Sequence, residues 1–271
     1  MNATELNATA RALVPEGKGI LAADESHPSI ARRFASVGVE NTAENRRLYR
    51  QMLFATKGVA EFISGVILYD ETLRQAADDG TPLGQVLSRQ GILPGIKVDK
   101  GTKPLAGTSG ELVTEGLDGL RERLAEYRGL GARFAKWRAV ITIGPGLPTP
   151  ACLDANAHAL ARYAALCQEG GLVPIVEPEV LMDGEHTIER CEAVTKTTLE
   201  TVFRELDRQQ VVLEGMLLKP SMVLSGTQCP RQASVSEVAQ ATLRWPRSVL
   251  RPRARQRAAG PARSRRRAPG P

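Results

Sequence analysis

The sequence predicts an α/β fold of the TIM (β/α)8 barrel type, incomplete, with about six βα units. Three observations predict it. Short apolar segments flanked by glycine recur along the chain, each finishes on or beside a polar or charged residue, and longer segments with helical spacing lie between them. That alternation is the rhythm of a parallel sheet whose strands are joined by crossover helices.

The candidate strands, in order, are Gly19 to Asp24 (GILAAD), Gly65 to Glu71 (GVILYDE), Gly95 to Asp99 (GIKVD), Ala132 to Arg138 (ARFAKWR), Val173 to Glu179 (VPIVEPE) and Leu213 to Pro220 (LEGMLLKP). Helical spacing appears at Leu120, Leu124 and Tyr127, at Leu160, Tyr163 and Cys167, and at Leu199, Val202, Phe203 and Leu206. Gly170 and Gly171 stand where a helix C-terminus needs them. From Asp24 to Lys219 the five intervals span 195 residues, or about 39 each. A repeat this regular suits a barrel, and an open doubly wound sheet is the other architecture it allows.

Two further units at that spacing need about 80 residues beyond Arg244. Only 27 follow, and nine of them are arginine with no acidic residue among them. Removing those nine leaves 27 basic against 30 acidic residues over positions 1–244, a charge of −3, so the overall +6 belongs to the end of the chain. The reading therefore divides the chain into an incomplete barrel over 1–244 and an Arg/Pro/Ala-rich tail over 245–271 that is expected to be disordered.

No run of about 18 apolar residues is present, and the first residues are polar and acidic where a secretory signal is apolar; a cytoplasmic location without membrane partners is expected. The four cysteines are scattered, which suggests reduced thiols, and the three histidines (His27, His158, His186) are not spaced to share a metal. No Walker A or G-x-G-x-x-G pattern supports nucleotide binding. Neither a metal nor a cofactor is expected. The tail has no aromatic residue after Trp245 to stack bases, so no specific nucleic-acid partner is expected.

Chemistry concentrates at the strand ends. Lys97, Lys136 and Lys219 lie at or near the carboxyl ends of three apolar strands, and Asp24, Asp70, Asp99, Glu177 and Glu179 occupy equivalent ends. The uncharged run Gly215 to Leu218 ahead of Lys219 predicts that this lysine is desolvated; a lysine that loses its hydration becomes a nucleophile, and carboxylates beside it can move protons. In a barrel all these ends open on one mouth. Two readings remain level on composition: an acid–base site built around a nucleophilic lysine, and a lattice of salt bridges closing the barrel top.

Several of these segments resemble the class I fructose-bisphosphate aldolases: KGILAADES (18–26), ENRRLYRQ (44–51), GVILYDETL (65–73), GIKVDKG (95–101), PLAGT (104–108), GLDGL (116–120), FAKWR (134–138), IVEPE (175–179) and LEGMLLKP (213–220). The resemblance runs collinearly from about residue 5 to Arg244. It implies reversible cleavage of fructose 1,6-bisphosphate to dihydroxyacetone phosphate and glyceraldehyde 3-phosphate. By the same resemblance Lys219 is the Schiff-base lysine, Glu177 the acid/base that dehydrates the carbinolamine, and Asp24 and Lys136 the groups that handle the hydroxyl proton and developing charge. Ser29, Arg33, Arg46 and Lys97 occupy positions lining the substrate and phosphate site, with Arg138 and Glu179 as neighbours. The family also implies a homo-oligomer.

The chain departs from the family pattern in two places. HPS at 27–29 replaces the more usual small residues before Ser29, and no Ser-Gly-Gly or Gly-Arg phosphate motif follows SVSEVAQATLR (234–244). The missing anion ligands predict weak phosphate binding and low activity, and open sheet edges predict poor solubility or dimer-dependent folding. Arg-, Pro- and Ala-rich sequence is what out-of-frame reading of GC-rich coding sequence gives, and translating the other frame past codon 244 checks that origin. Two alternatives stay beside the main reading: another lysine-dependent aldolase or transaldolase, and a non-catalytic fragment whose basic tail binds polyanions.

Overall fold

Helix α1 (Ala3–Leu13) leads into strand β1 (Gly19–Ala23), and α2 (His27–Ala35), α3 (Ala43–Phe54) and the short α4 (Val59–Phe62) precede β2 (Ile63–Leu68). Helices α5 (Asp70–Arg74) and α6 (Leu83–Ser88) connect to β3 (Leu93–Lys97), after which β4 (Thr102–Pro104) and β5 (Leu112–Thr114) form an antiparallel hairpin. The chain continues through α7 (Leu120–Gly129), β6 (Phe134–Ile141), α8 (Pro150–Glu169), β7 (Val173–Val180), α9 (Ile188–Arg208), a 3₁₀ turn (Leu213–Gly215) and β8 (Leu217–Leu218). These elements come from a computed structural model that describes residues 2–244; the Arg-rich tail lies outside the described residues.

The main sheet has the order β1-β2-β3-β6-β7-β8, every neighbouring pair parallel. Its strands are the six anticipated ones, with altered limits. The second begins at Ile63 and ends at Leu68, so Asp70 and Glu71 open helix α5 instead of ending a strand. The fourth starts at Phe134 and runs past Arg138 to Ile141. In LEGMLLKP only Leu217–Leu218 pairs with β7, because the three residues Leu213–Gly215 turn first.

Capping residues set the helix limits. Thr149 accepts a hydrogen bond from the Cys152 amide at 3.2 Å and Pro150 fills the first turn of α8, where no amide hydrogen is needed. The same helix stops at Gly170, and Gly171 takes the left-handed conformation (φ 72°) that a residue with a β-carbon adopts only at a cost. Asn2 caps α1 through the Glu5 amide.

Helix α1 closes the amino-terminal end of the curled sheet. Leu6, Ala10 and Leu13, spaced to share one face, pack with Ile67, Phe134, Val173 and Ile175 inside the curl. Burying the leucine, isoleucine, valine and phenylalanine side chains among these contributes about 1.5–3 kcal/mol each. The ring of Phe134 reaches across the interior only because its neighbours are glycines: a β-carbon at Gly95 would lie 2.2 Å from it, and one at Gly65 would lie 2.7 Å from Leu13. A second, larger core lies outside the sheet, where Trp137 of β6 meets Tyr163 of α8 with ring centroids 5.5 Å apart.

All four cysteines are free and buried. Burial raises the Cys152 thiol to about 11 and lifts Cys167 and Cys191 above the ordinary range. Thiolate is the reactive form, so Cys152, Cys167 and Cys191 are expected to resist alkylation in the folded chain at pH 8 and to react after denaturation. Mass spectrometry of iodoacetamide-treated native protein checks this, and rapid labelling at any of the three contradicts it.

Candidate active site

Side chains alternate along a strand, so every second residue faces the interior of the curl. The inward series reads Ile20, Ala22, Asp24; Leu93, Gly95, Lys97; Phe134, Lys136, Arg138; Ile175, Glu177, Glu179; and Leu217, Lys219. Each begins apolar, under the cover of α1, and ends charged. The apolar floor and the ionic mouth are thus one sequence pattern repeated on five strands. Parallel register aligns the charged ends: Lys97 lies opposite Lys136, Arg138 opposite Glu177, and Lys219 donates its backbone amide to Val176 at 2.9 Å.

At the centre four charges alternate in sign. Lys136 Nζ donates to Asp24 Oδ2 at 2.9 Å and lies 3.2 Å from Glu177 Oε2, while Glu177 Oε1 accepts a short hydrogen bond from Lys219 Nζ. Asp24, Lys136 and Glu177 are buried. Burial opposes the charge on Lys136, but the attraction of Asp24 and Glu177 outweighs it and raises the lysine above its ordinary value. Lys136 is therefore a fixed cation at neutral pH. One carboxylate, Glu177, spans both lysines.

The surrounding groups are paired as well. Lys97 Nζ bonds to Asp99 Oδ1 at 2.5 Å and to the Asp99 carbonyl at 2.9 Å, and Asp99 Oδ2 accepts from the Arg138 amide. The Arg138 guanidinium bonds to Glu179. Along α2, Ser29 Oγ lies 3.2 Å from Ser26 Oγ, and Arg33 pairs with Glu25 beside Asp24. A cleft of about 370 Å³ opens over Lys219, Glu177, Arg138 and Glu179, with Ser221 and Met222 on its rim.

Both level readings of the strand-end charges therefore meet in one arrangement, a salt-bridge lattice with a lysine at its open end. The family model described as fructose-bisphosphate aldolase class-I matches residues 5–254. A probable fructose-bisphosphate aldolase class 1 of Xanthomonas campestris is 60% identical over 250 residues, covering 92% of this chain and 75% of the relative. The chain belongs to the class I fructose-bisphosphate aldolases. The likeness extends to eukaryotes: fructose-bisphosphate aldolase of Dictyostelium discoideum is 54% identical, with 89% of this chain and 69% of that one covered. A solved fructose-bisphosphate aldolase from Plasmodium falciparum, in complex with TRAP and a small-molecule inhibitor, superposes with a TM-score of 0.90 at 50% identity, over 92% of this chain and 72% of that one.

The family to which the chain belongs consists of carbon–carbon lyases that cleave fructose bisphosphate through a lysine Schiff base. Of the ten residues that the aldolase motifs single out, Asp24, Lys136, Glu177 and Lys219 form the connected centre, and Lys97, Arg138 and Glu179 stand at neighbouring strand ends. Ser29 and Arg33 stand on α2, just after β1, where Ser29 Oγ meets Ser26 Oγ and Arg33 pairs with Glu25, and neither touches that centre in the resting chain. Arg46 does not face it freely: it is buried, held by Glu71 through two bonds of 2.7 and 2.6 Å and by Asn41 at 3.0 Å. Asp70 is turned outward to Arg74 and to the Tyr127 hydroxyl of α7.

One expectation is corrected. Lys219 is the most exposed lysine of the group, its side chain 51% accessible against 8% for Lys136. The apolar run before it suggested desolvation, but β8 is the last strand of the sheet and, among the described residues, has a strand on one side only. A second cleft, of about 320 Å³ and lined by Leu13, Ile20, Ile67, Ile175 and Leu217, opens on that side and also reaches Lys219.

Sequence reasoning missed Arg50 and Glu25. Arg50 is fully buried on α3 and donates to the Glu25 carboxylate at 2.9 Å and to the Glu25 carbonyl at 3.2 Å. Arg33 grips the same carboxylate, so the residue following Asp24 is held from two helices. The available signal was the arginine four positions after Arg46 in ENRRLYRQ, on the same helical face.

Proposed function

We propose that Lys219 forms the Schiff base, that Glu177 exchanges the protons of its formation, and that Asp24 and Lys136 serve the cleavage step. The observation that carries this reading is the single Glu177 carboxylate lying between Lys219 and Lys136. The Lys219 ammonium must lose a proton before it can attack, and Glu177 Oε1 is the adjacent acceptor. The neutral amine then adds to the substrate ketone, giving a carbinolamine. The proton now on Glu177 passes to the carbinolamine hydroxyl, which leaves as water, and the iminium remains.

Cleavage sends the electron pair of the broken carbon–carbon bond into that iminium, while the hydroxyl of the departing aldehyde loses its proton to Asp24. Lys136 keeps its charge throughout, which lowers the cost of the negative charge that develops nearby. Lys97, Arg138, Arg33 and Ser29 supply cationic and hydroxyl groups for the sugar phosphate; in the resting chain the cations among them are paired with Asp99, Glu179 and Glu25. Their exchange of a carboxylate for a phosphate is part of binding. A cytoplasmic, homo-oligomeric enzyme is the setting that the family likeness supports.

Borohydride reduction in the presence of dihydroxyacetone phosphate tests the assignment. The expected result is one stable adduct, mapped by peptide mass spectrometry to Lys219. An adduct on Lys136 or Lys97 in place of Lys219, or no adduct, removes the nucleophile from its proposed position.

A further inference from the structure

Strand β8 carries Lys219, yet its own anchorage is slight. Two residues, Leu217 and Leu218, pair with Ile175 and Val176 of β7, and one further bond joins the Lys219 amide to Val176. Among the described residues no strand lies on its other side. A two-residue edge strand of this kind is expected to fray unless something else fixes where it starts.

That start is the turn Leu213–Gly215, and Gln168 holds it. Gln168 is the penultimate residue of α8, 1% exposed, and its amide is fully used: Oε1 accepts from the Val212 amide at 2.9 Å, and Nε2 donates to the Val212 carbonyl at 2.7 Å and to the Gly215 carbonyl at 3.2 Å. The side chain thus pairs with the Val212 peptide as a neighbouring strand would. From the other side α1 presses Leu6 on the turn, so closely that a β-carbon on Gly215 would lie 2.9 Å from Leu6 and 3.3 Å from Gln168 Nε2.

We infer that Gln168 is a positioning residue, clamping the start of β8 and thereby holding Lys219 within bonding distance of Glu177. From Gly215 to Lys219 the chain runs four residues in extended form, roughly 13 Å at about 3.3 Å per residue. A shift at the turn is carried along that length to the amine. The catalytic half of this inference rests on the assignment of Lys219 above; the structural half does not.

The test uses the full chain with three substitutions: Gln168→Leu, Gln168→Glu, which keeps the shape and an acceptor but loses both donors, and Leu160→Ala, a control on the same helix away from the turn. Hydrogen exchange of the peptide covering 213–220 is measured beside the borohydride-trapping rate at saturating dihydroxyacetone phosphate. Both Gln168 variants are expected to speed exchange in that peptide about tenfold relative to β6 and β7. They are also expected to slow trapping at least about tenfold, with the half-saturating concentration little changed. Leu160→Ala is expected to lower thermal stability without either selective effect.

If the Gln168 variants exchange 213–220 no faster than the control does, or trap at the wild-type rate while folded, the inference is wrong. Should Gln168→Leu fail to fold, Gln168→Glu decides it. Should the wild-type chain trap nothing at Lys219, the assignment of the nucleophile fails, and the exchange measurement still decides whether Gln168 is the clamp.

Discussion

Glu177→Gln is expected to slow adduct formation at Lys219 by about 10²–10⁴-fold at neutral pH, with the protein still folded. The substitution keeps the shape of a side chain that is nearly inaccessible to solvent, so packing is preserved. What it removes is a base for the Lys219 proton and an acid for the carbinolamine hydroxyl, since Glu177 Oε1 is the partner of that amine. Lys219 is exposed, so solvent can replace the lost base. The trapping rate of the variant is therefore expected to climb with pH, as hydroxide takes over the deprotonation, more steeply than that of the wild type. Equal pH profiles for the two proteins would show that Glu177 does not handle this proton.

The same carboxylate shows how far the sequence could be read. Inward and outward residues alternate by two along any strand, so the charged ends of GILAAD, FAKWR and IVEPE could be assigned to one mouth once a parallel barrel was inferred, and Asp24, Lys136 and Glu177 do meet there. Asp70 was misplaced because β2 ends at Leu68: one residue of slip past a strand end turns a side chain from the interior to the helical layer. Lys219 was given the wrong solvation because exposure depends on what lies beside β8, which the run Gly215 to Leu218 does not encode. The clamp of Gln168 on Val212 and the grip of Arg50 on Glu25 join positions 44 and 25 residues apart by single side chains, and no periodicity records such contacts. The hairpin β4–β5 leaves no periodic signal for a simpler reason, since three-residue strands are too short to show alternation.

Lys136→Met is expected to lower folding stability by about 3–5 kcal/mol near neutral pH, because it removes the cation from between two buried carboxylates. Asp24 and Glu177 lie 2.9 and 3.2 Å from the ammonium, and both are nearly inaccessible to solvent, so water does not replace it. The sign of the pH dependence follows from the raised value of Lys136 in the folded chain. A lysine raised on folding contributes stability that is fully present below its unfolded value, about 10.5, and is lost as pH rises through the higher folded value. The deficit of the variant should therefore shrink in strong alkali, where the wild type loses this contribution. Denaturant midpoints from pH 4 to 11 measure it, and a deficit independent of pH would mean that the methionine disturbs packing and not charge. Activity should fall by about 10²–10³-fold even where the variant is folded, since a preorganised cation is lost from beside the bond that breaks. A stability deficit that closes in alkali while activity stays low would separate the two roles of this lysine: holding the carboxylates together, and opposing the charge of the transition state.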